Sequence, residues 1–391
     1  MNYTFENGNL TIALSGRVDT STVDAVGKEI DAIRSSLSGV TSLALDADEL
    51  AYISSAGLRL LLRLRKECGA LKVINVSSDV YEVFDMTGFA EILDIEKAYR
   101  RFSVDGCQVI GRGAKGTVYR YDEETIVKVY KDPNSLPAIK TERELARKAF
   151  VLGIPTAISY DVVRVGDSYG SVFELLSAKS YSQLIKENPD QLEAYVAECA
   201  SLLRTIHGTK VSPDDMPDIK DTIWKWIAAD EPFLAPETVA RIRELVGAVP
   251  DKMTMLHCDY HTNNVLCQNG ETLLIDMDTL SRGDPIFELA NVYITYVGFG
   301  EVNPTIVEEF MNMPYELTKR VWARFLPLYL GTEDKDEIEK TENKIKLLSY
   351  IRFLRHTVRR GGAETDEGKE TIALCKRRIE ELLPAIESLA L

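Results

Sequence analysis

The stretch LHCDYHTNNVLCQNGETLLIDMD, residues 256–278, constrains this chain more than any other segment. It places two histidines, several acids and paired asparagines between apolar runs. A zinc centre needs three or four ligands at fixed spacing, and His257 and His261 stand four apart without the glutamate of an HExxH motif. A serine hydrolase needs a G-x-S-x-G nucleophile elbow, which is absent here. Both interpretations leave most of the stretch unexplained.

The same stretch supplies the groups that phosphoryl transfer requires. Asp259 is placed to accept the proton of an attacking hydroxyl, and Asn264, five residues later, to bind magnesium. After a hairpin turn at QNGE, the strand TLLID ends at Asp276, a second candidate magnesium ligand. The transferred group carries charge but makes little covalent contact with protein, so the base and both ligands must converge on it. The spacing therefore predicts a phosphoryl-transfer loop.

A glycine-rich turn, GRGAKG at residues 111–116, precedes this loop in the chain. A dinucleotide-binding fold would place a helix after it, but the strand-forming runs TVYRY and TIVKVY follow. A strand–turn–strand lid suits nucleotide phosphates, with the amides of Gly111, Gly113 and Gly116 over them and Lys128 holding them. We therefore predict a nucleotide site formed by these glycines and Lys128.

Lys128 needs a carboxylate partner on a packed helix, and TERELARKAF offers Glu142 and Glu144. Two positions apart, the two glutamates face different ways. Glu144 lies beside Leu145 on the apolar face, so we expect Glu144 to point inward, with Glu142 as the alternative.

The segment SVFELLSAKS follows the last strand of this region and is where adenine is expected to dock. Backbone groups near Glu174 and Leu176 are the candidates for reading the base edge. The helical region that follows should supply the acceptor contacts. Its aromatic residues are expected to pack in the core more often than to touch substrate: Trp224, Trp226, Tyr293 and Tyr296.

Two domains are predicted, at residues 1–102 and 103–391. The first has the order β-β-α-β-α-β-α-β, with SSAGLRLLLRLRKECG as a helix that starts at serine and ends at Gly69. This pattern indicates an α/β domain with a mixed sheet and helices. The second begins with strands, to about residue 176, and continues as helices, which predicts a bilobal α+β domain.

The charge and cysteine content of the chain limit the classes of binding partner and the compartment that we expect. With 46 basic and 61 acidic residues the net charge is −15, which disfavours nucleic acid and anionic membranes and mildly suits a cationic acceptor. Six cysteines without CxxC spacing indicate reduced thiols in a cytoplasmic protein. No apolar run predicts a membrane span or a secretion signal.

From about residue 107 to 300 the sequence resembles the aminoglycoside phosphotransferase and choline kinase family, a branch of the protein-kinase-like fold. LHCDYHTNNVL and LLIDMDTLSRGDPIFELA are similar to its H-G-D-x-H-x-x-N and I-D-x-x-x-x-x-G-D-P-x-x-D-L-A signatures. The resemblance implies ATP and Mg²⁺ as cofactors. It also implies these roles: Asp259 as catalytic base, Asn264 and Asp276 as metal ligands, and Lys128 with Glu144 as the phosphate-holding pair. Cys258 stands where the family usually has glycine.

The N-terminal stretch ADELAYISSAGLRLLLRLRK resembles the STAS domain, the anti-sigma-factor antagonist fold. In that family a serine at the start of this helix is phosphorylated by a partner kinase, which places a possible switch at Ser55. A phosphate there meets free amides and the positive end of the helix dipole. The preceding residue is Ser54 where the family has aspartate, and simple capping by the two serines is an equal alternative.

These observations favour an ATP- and Mg²⁺-dependent phosphotransferase acting on a small-molecule hydroxyl, with the STAS module as a regulatory or docking unit. One alternative is a protein serine kinase of a STAS/anti-sigma partner-switching pathway, acting on Ser55 or a related STAS protein. Another is a nucleotide-binding scaffold without turnover. The expected partners are the small-molecule acceptor and an anti-sigma or other STAS-pathway protein.

Overall fold

The computed structural model describes residues 1–113 and 115–391, so Ala114 of the glycine-rich turn lies outside the described residues. The chain divides into two compact units. The first comprises residues 1–105 with 162–170, and the second comprises residues 106–161 with 171–391. Within the described ranges no helix is long and apolar enough to cross a membrane.

The first unit is built on a five-stranded sheet in the order β1-β2-β3-β4-β5. Its elements are β1 (Tyr3–Glu6), β2 (Asn9–Val18), α1 (Val23–Ser36), β3 (Ser42–Ile53), α2 (Ser55–Cys68), β4 (Leu71–Val76), α3 (Ser78–Met86) and β5 (Asp94–Lys97). β1 pairs antiparallel to β2, and the remaining pairs are parallel. The mixed sheet and the element order are those that the sequence predicted.

Burial alternates along β2, so one face of this strand packs into the core of the first unit. Leu10, Ile12 and Leu14 are all nearly inaccessible to solvent. Side chains two residues apart point to one face of a strand, so these three enter a single apolar layer. The same unit contains a short parallel pair, β6 (Arg101–Phe102) with β10 (Asp161–Val165).

The second unit begins with a strand-rich lobe. Its elements are β7 (Gln108–Arg112), β8 (Gly116–Arg120), β9 (Thr125–Tyr130), α4 (Leu136–Val151) and the end of β11 (Ser168–Glu174). These strands lie in the order β7-β8-β9-β11, and the two pairs among β7, β8 and β9 are antiparallel. Lys128 therefore lies on a strand with neighbours on both sides.

A helical lobe completes the second unit. Its helices are α5 (Tyr181–Glu187), α6 (Leu192–Gly208), α7 (Ile219–Asp230), α8 (Pro236–Gly247), α9 (Ile286–Tyr296), α10 (Pro304–Met311), α11 (Tyr315–Leu330), α12 (Lys335–Arg359) and α13 (Asp366–Leu382). Short strands lie among them: β12 (Lys179–Ser180), β13 (Met255–Leu256), β14 (Val265–Gln268), β15 (Glu271–Leu274) and β16 (Ser281–Arg282). Every residue of α9 is buried, which makes this helix the centre of the lobe.

Candidate active site

A two-residue hairpin brings Asn264 beside Asp276. β14 and β15 pair antiparallel over their whole length, and the turn residues Asn269 and Gly270 have φ values of 52° and 84°. Two positive φ angles are typical of the type I′ turn that Asn-Gly favours. Asn264 precedes the hairpin and Asp276 follows it, and the N–H of Ile275 donates to the carbonyl of Asn264 at 2.9 Å. Both candidate metal ligands therefore lie at the open end of one hairpin.

Lys128 connects the two lobes of the second unit. Its Nζ lies 3.0 Å from Oε1 of Glu142 on α4 and 3.0 Å from Oδ1 of Asp276. Burial by itself lowers the pKa of Lys128, but the charges of Asp276 and Glu142 outweigh it, so the pKa is raised. The ammonium therefore stays charged between two carboxylates.

The partner of Lys128 on α4 is Glu142, and the expectation of Glu144 was wrong. Glu142 is only 8% exposed, whereas the Glu144 side chain is 52% exposed. The inward face of α4 follows the three- and four-residue spacing of a helix, and Glu142 lies three positions from both Ile139 and Leu145, which are buried. Adjacency to Leu145 was the wrong criterion, because neighbouring residues on a helix lie on different faces.

Tyr130 is a supporting residue that the sequence analysis missed. Its hydroxyl donates to Oε2 of Glu142 at 2.8 Å and lies 3.2 Å from Oγ of Ser171. Tyr130 is two positions after Lys128 on β9, and so shares its face of the strand. That spacing could have identified it as the residue that fixes Glu142.

The backbone at Asp276 is in the left-handed region, with φ 64°. Such a conformation costs a non-glycine residue about 1–3 kcal/mol and is concentrated at functional sites. Burial raises the pKa of Asp276, but the charge and hydrogen bond of Lys128 outweigh it, helped by the charge of Lys115, so the pKa is lowered. Asp276 is thus held as a carboxylate.

Cys258 adopts the same unusual backbone, with φ also 64°. Glycine enters this region without a steric penalty, which explains why the resembling family usually has glycine here. The cysteine is retained in this conformation by the hydrogen bonds around its backbone. Its N–H donates to Oε1 of Glu288 at 2.7 Å, and its carbonyl accepts from Nδ2 of Asn291 at 2.9 Å.

Asp259 presents a partly exposed carboxylate on a fixed backbone. Nδ2 of Asn264 donates to the Asp259 carbonyl at 3.0 Å, and the Asp259 N–H lies 3.3 Å from Nδ1 of His257. Nε2 of His261 is 3.9 Å from Oδ2 of Asp259. Burial lowers the pKa of His261 to about 4, so its imidazole is neutral and makes no ion pair with Asp259 near pH 7.

Glu288 on α9 fixes the backbone at the start of the 257–264 loop. No role was predicted for this residue from the sequence. This fully buried residue of α9 accepts the N–H groups of His257 at 2.8 Å and Cys258 at 2.7 Å, and its Oε2 lies 2.8 Å from Nε2 of His207. Burial raises the pKa of Glu288, but the hydrogen bond and charge of His207 more than offset this, so the pKa is lowered. A lone acid inside the apolar run IFELANVYITY was the available signal.

The glycine-rich turn is closed by a hydrogen bond from the Gly113 N–H to the Gly116 carbonyl at 2.9 Å. A Cβ on Gly116 would lie 2.4 Å from the Val129 carbonyl oxygen, so only glycine fits there. A Cβ on Gly111 or Gly113 would meet its nearest neighbour at 3.6 or 3.9 Å. Packing therefore does not require glycine at those two positions.

Backbone direction near Glu174 and Leu176 is set by the residue between them. The N–H of Leu175 donates to the carbonyl of Glu124 at 2.6 Å. Backbone polar groups alternate in direction along an extended chain. This rule applies to Glu174, the last residue of β11, and places its backbone groups on the side away from Glu124, whereas Leu176 lies beyond the end of the strand.

The four aromatic residues divide as the sequence analysis expected, with one difference. Tyr293 and Tyr296 are nearly inaccessible, and Tyr296 donates its hydroxyl proton to Oγ1 of Thr262 at 3.0 Å. Trp224 packs against the core. Trp226, which also packs there, in addition lines a pocket of the second unit.

In the first unit, Ser54 rather than Ser55 caps α2. Oγ of Ser54 accepts the N–H of Ala56 at 3.2 Å, while Ser55 is exposed at the first helical position. Capping therefore does not require Ser55, and phosphorylation of this residue stays a prediction.

Comparisons with known proteins give a family match for each of the two parts of the chain. Residues 106–327 match the Phosphotransferase enzyme family, and residues 1–101 match the STAS domain. The putative anti-sigma factor antagonist BtrV of Bordetella bronchiseptica is 33% identical over 93 residues, which cover 23% of this chain and 78% of that protein.

Solved structures with a similar fold include two kinases. Amicoumacin kinase hAmiN in complex with AMP-PNP, Ca²⁺ and Ami is 17% identical and has a TM-score of 0.49, over 78% of this chain and 94% of that one. A choline/ethanolamine kinase family protein from Mesorhizobium loti is 15% identical with a TM-score of 0.47, over 71% of this chain and 91% of that one.

Fold and site together define a kinase-like domain joined to an N-terminal STAS domain. Since the matched region covers more than half of its residues, the chain belongs to the Phosphotransferase enzyme family.

Proposed function

We propose that this chain transfers the γ-phosphate of ATP, with Mg²⁺, to a hydroxyl of a small molecule, and that its STAS domain acts as a regulatory or docking module. The observation that carries this is the position of Lys128, whose Nζ lies 3.0 Å from both Glu142 and Asp276. Asp276 in turn lies beside Asn264, which contacts Asp259. A phosphate-holding cation, two oxygen ligands and a base are thus gathered by three different elements.

The residues fit a magnesium ion. Asp276 is held ionised, and Asn264 uses Nδ2 for Asp259, which leaves its amide oxygen for a cation. Mg²⁺ prefers such hard oxygen ligands and is usually held by one or two of them together with substrate phosphates. Accordingly, the described residues contain no cluster of three or more His, Cys, Asp or Glu that would bind a metal alone. When bound, the ion supplies positive charge that offsets the phosphate oxygens.

The nucleotide would lie beneath the glycine-rich turn. The backbone of this turn covers the phosphates through donors other than the Gly113 N–H, which is donated to the Gly116 carbonyl, and Lys128 contacts them as a point charge. The adenine edge meets the backbone of Glu174 and Leu176, at and just after the end of β11.

In the transfer step, Asp259 accepts the proton of the acceptor hydroxyl. The acceptor oxygen forms a bond to the γ-phosphorus, the bond from that phosphorus to the β–γ bridging oxygen breaks, and ADP leaves. His257 and His261 are buried, whereas the Asp259 side chain is 35% exposed, so the carboxylate of Asp259 is the base of the 257–264 loop that an acceptor hydroxyl can reach.

A small acceptor is favoured over a protein by the short segment after Asp276. Only residues 277–282 separate it from Gly283, and they form a tight turn followed by β16, which pairs with β13 at the base of the 257–264 loop. No length remains in this segment for a strand-like platform that docks a peptide.

The test is an ATP-consumption screen over hydroxylated metabolites, antibiotics and STAS proteins, with Asp259→Asn as control. A general base contributes about 10²–10⁴-fold, so we expect a loss of that size in the variant with the best acceptor. Unchanged turnover in Asp259→Asn would contradict the assignment. Phosphate appearing on Ser55 or on another STAS protein would instead favour a protein serine kinase.

A further inference from the structure

A pocket in the second unit lies beside the 257–264 loop. Its lining comes from α4, α7, α12, residues 213–217 and residues 278–281, together with Cys258. Trp226 on α7 and Arg352 on α12 form part of the wall, with the Arg352 guanidinium carbon 5.8 Å from the centroid of the Trp226 ring. Cys258 is the residue before Asp259, and the charge of Asp259 acts on Arg352, so the pocket lies near the proposed base.

Among the described residues, no carboxylate lies within ion-pair distance of Arg352. Its Nη1 is buried and has no hydrogen-bond partner among the described residues. Burial lowers the pKa of Arg352, and the charge of Asp259 opposes this without cancelling it. The guanidinium keeps its charge, and leaving its buried Nη1 without a hydrogen-bond acceptor is unfavourable. An anion in the pocket would supply the missing partner.

A second polar group of the same pocket is also unpaired. Asn291 is 3% exposed, and its Nδ2 is committed to the Cys258 carbonyl at 2.9 Å. Its Oδ1 is buried and has no donor in the described part of the chain. Since buried polar groups normally have partners, this oxygen indicates a place for a hydroxyl or ammonium donor.

Several other charged groups of the lining already have partners. Lys148 lies 3.4 Å from Asp215, and Asp278 contacts Lys115 of the glycine-rich turn. Arg352 differs because its Nη1 is buried and has no hydrogen-bond partner in the described part of the chain. The local chemistry therefore differs from the acidic net charge of the whole chain, which had suggested a cationic acceptor.

We propose that Arg352 binds an anionic group, a carboxylate or a phosphate, on the hydroxyl-bearing acceptor. This inference rests on the proposed phosphotransferase function and names its substrate class. A guanidinium presents parallel N–H donors that match a carboxylate or phosphate in two hydrogen bonds. The ring of Trp226 covers the apolar part of the acceptor, and the Asn291 oxygen accepts a hydrogen bond from it.

The first test measures anion binding without catalysis. Malonate and inorganic phosphate are titrated separately into the full chain while tryptophan fluorescence is recorded, with neutral malonamide as the uncharged control. We expect a saturable change with at least one anion and none with malonamide. The change should disappear in Trp226→Phe, which would assign the signal to that ring.

Matched variants locate the charge that is responsible. Arg352→Met should weaken the anion's apparent affinity at least tenfold, whereas Arg359→Met, the same change at an exposed position of α12, should leave it within twofold. If circular dichroism shows that Arg352→Met is unfolded, Arg352→Lys replaces it, with an expected loss of at least threefold because the forked donors are lost. No saturable change in the natural sequence, or equal affinity in a folded Arg352 variant, would overturn the proposal.

The second test uses turnover. Acceptors are compared in sets that differ in charge: glycerate, glycerol 3-phosphate, glycerol and ethanolamine. The anionic members should have kcat/KM at least tenfold above the others, and Arg352→Met should remove this preference mainly through KM. Preference for ethanolamine that persists in Arg352→Met would overturn the inference. Anion binding with no ATP turnover on a broad panel would support the anion site and count against the phosphotransferase proposal instead.

Discussion

Glu288 accepts the backbone N–H of Cys258 at 2.7 Å, and this one carboxylate also accepts the N–H of His257. The 257–264 loop thus rests on a buried charge from α9. Neither N–H has access to water as a replacement partner, because His257 and Glu288 are fully buried and Cys258 is 8% exposed. The geometry of the loop depends on this side chain.

Replacing Glu288 should therefore destabilise the chain strongly. Glu288→Gln places an amide donor against a backbone N–H, and we expect a loss of about 3–5 kcal/mol in the free energy of unfolding. Urea denaturation followed by circular dichroism measures it. The exposed Glu144→Gln serves as the matched control, and a loss below about 1 kcal/mol in Glu288→Gln would show that the loop is held by other contacts.

Replacing each of the two glutamates of α4 separately by glutamine tests which of them is the partner of Lys128. Glu142→Gln removes the carboxylate that holds the ammonium, so we expect KM for ATP to rise about tenfold, a change worth about 1.4 kcal/mol. Glu144→Gln should leave KM for ATP within twofold, because its side chain is half exposed. The reverse order of effects would restore Glu144 as the partner.

Lys128→Ala should weaken nucleotide use while the chain stays folded. The substitution removes the Nζ that contacts Glu142 and Asp276. The strand itself should persist, because β9 keeps its hydrogen-bonded neighbours on both sides. Nucleotide affinity is measured by calorimetry and folding by circular dichroism, with exposed Lys369→Ala alongside. An unfolded Lys128→Ala chain would indicate a structural role for the lysine.

Two glycines of one turn should respond differently to alanine. Gly116→Ala brings a Cβ to 2.4 Å from the Val129 carbonyl oxygen, so the strands must separate, and we expect a loss of about 1–3 kcal/mol. Gly113→Ala meets nothing closer than 3.9 Å and should keep its stability, with any loss confined to nucleotide affinity. Thermal unfolding and nucleotide titration separate the two effects, and equal stability of both variants would contradict the packing argument.

His356 on α12 predicts a pH dependence of stability. Burial lowers its pKa to about 4, and the nearby arginines add to this, whereas an unfolded histidine titrates near 6.5. Between those values the unfolded chain binds more protons, so the free energy of unfolding should fall as the pH drops from about 6.5 toward 4. After allowance for solvent screening we expect about 1 kcal/mol from this residue.

The comparison variant for that titration is His356→Asn. Its stability should decline less steeply than that of the natural sequence over the same pH range, while the two curves run parallel above pH 7. Identical slopes through the acidic range would remove His356 as the cause.

Local spacing explains which parts of the site could be predicted from the sequence. The Asn-Gly turn fixes the pairing of β14 with β15, and so the proximity of Asn264 and Asp276 follows from about a dozen adjacent residues. Lys128 could also be placed on a strand from local sequence, because it lies within the strand-forming run TIVKVY. The choice between Glu142 and Glu144 failed because the inward direction of a helix is set by its i±3 and i±4 neighbours rather than by the adjacent residue.

Contacts between distant segments were not accessible from one sequence. Glu288 supports residues about thirty positions earlier, and nothing in local composition shows which backbone groups a buried acid will meet. Arg352 is a still clearer case. Arg352 lies on a helix rich in charged residues, so the sequence suggests a surface position. Only the packing of α12 shows that its Nη1 is buried and has no hydrogen-bond partner among the described residues.

The hairpin of β14 and β15 also has a consequence for how the site assembles during folding. Hairpins closed by two residues form within about 1–10 μs, far sooner than contacts between remote segments. The backbones at Asn264 and Asp276 are brought together as soon as this turn closes, whereas Lys128 can reach Asp276 only after the two lobes have associated. Half of the polar centre is therefore assembled early by local chain geometry, and the lysine joins it as a late, long-range step.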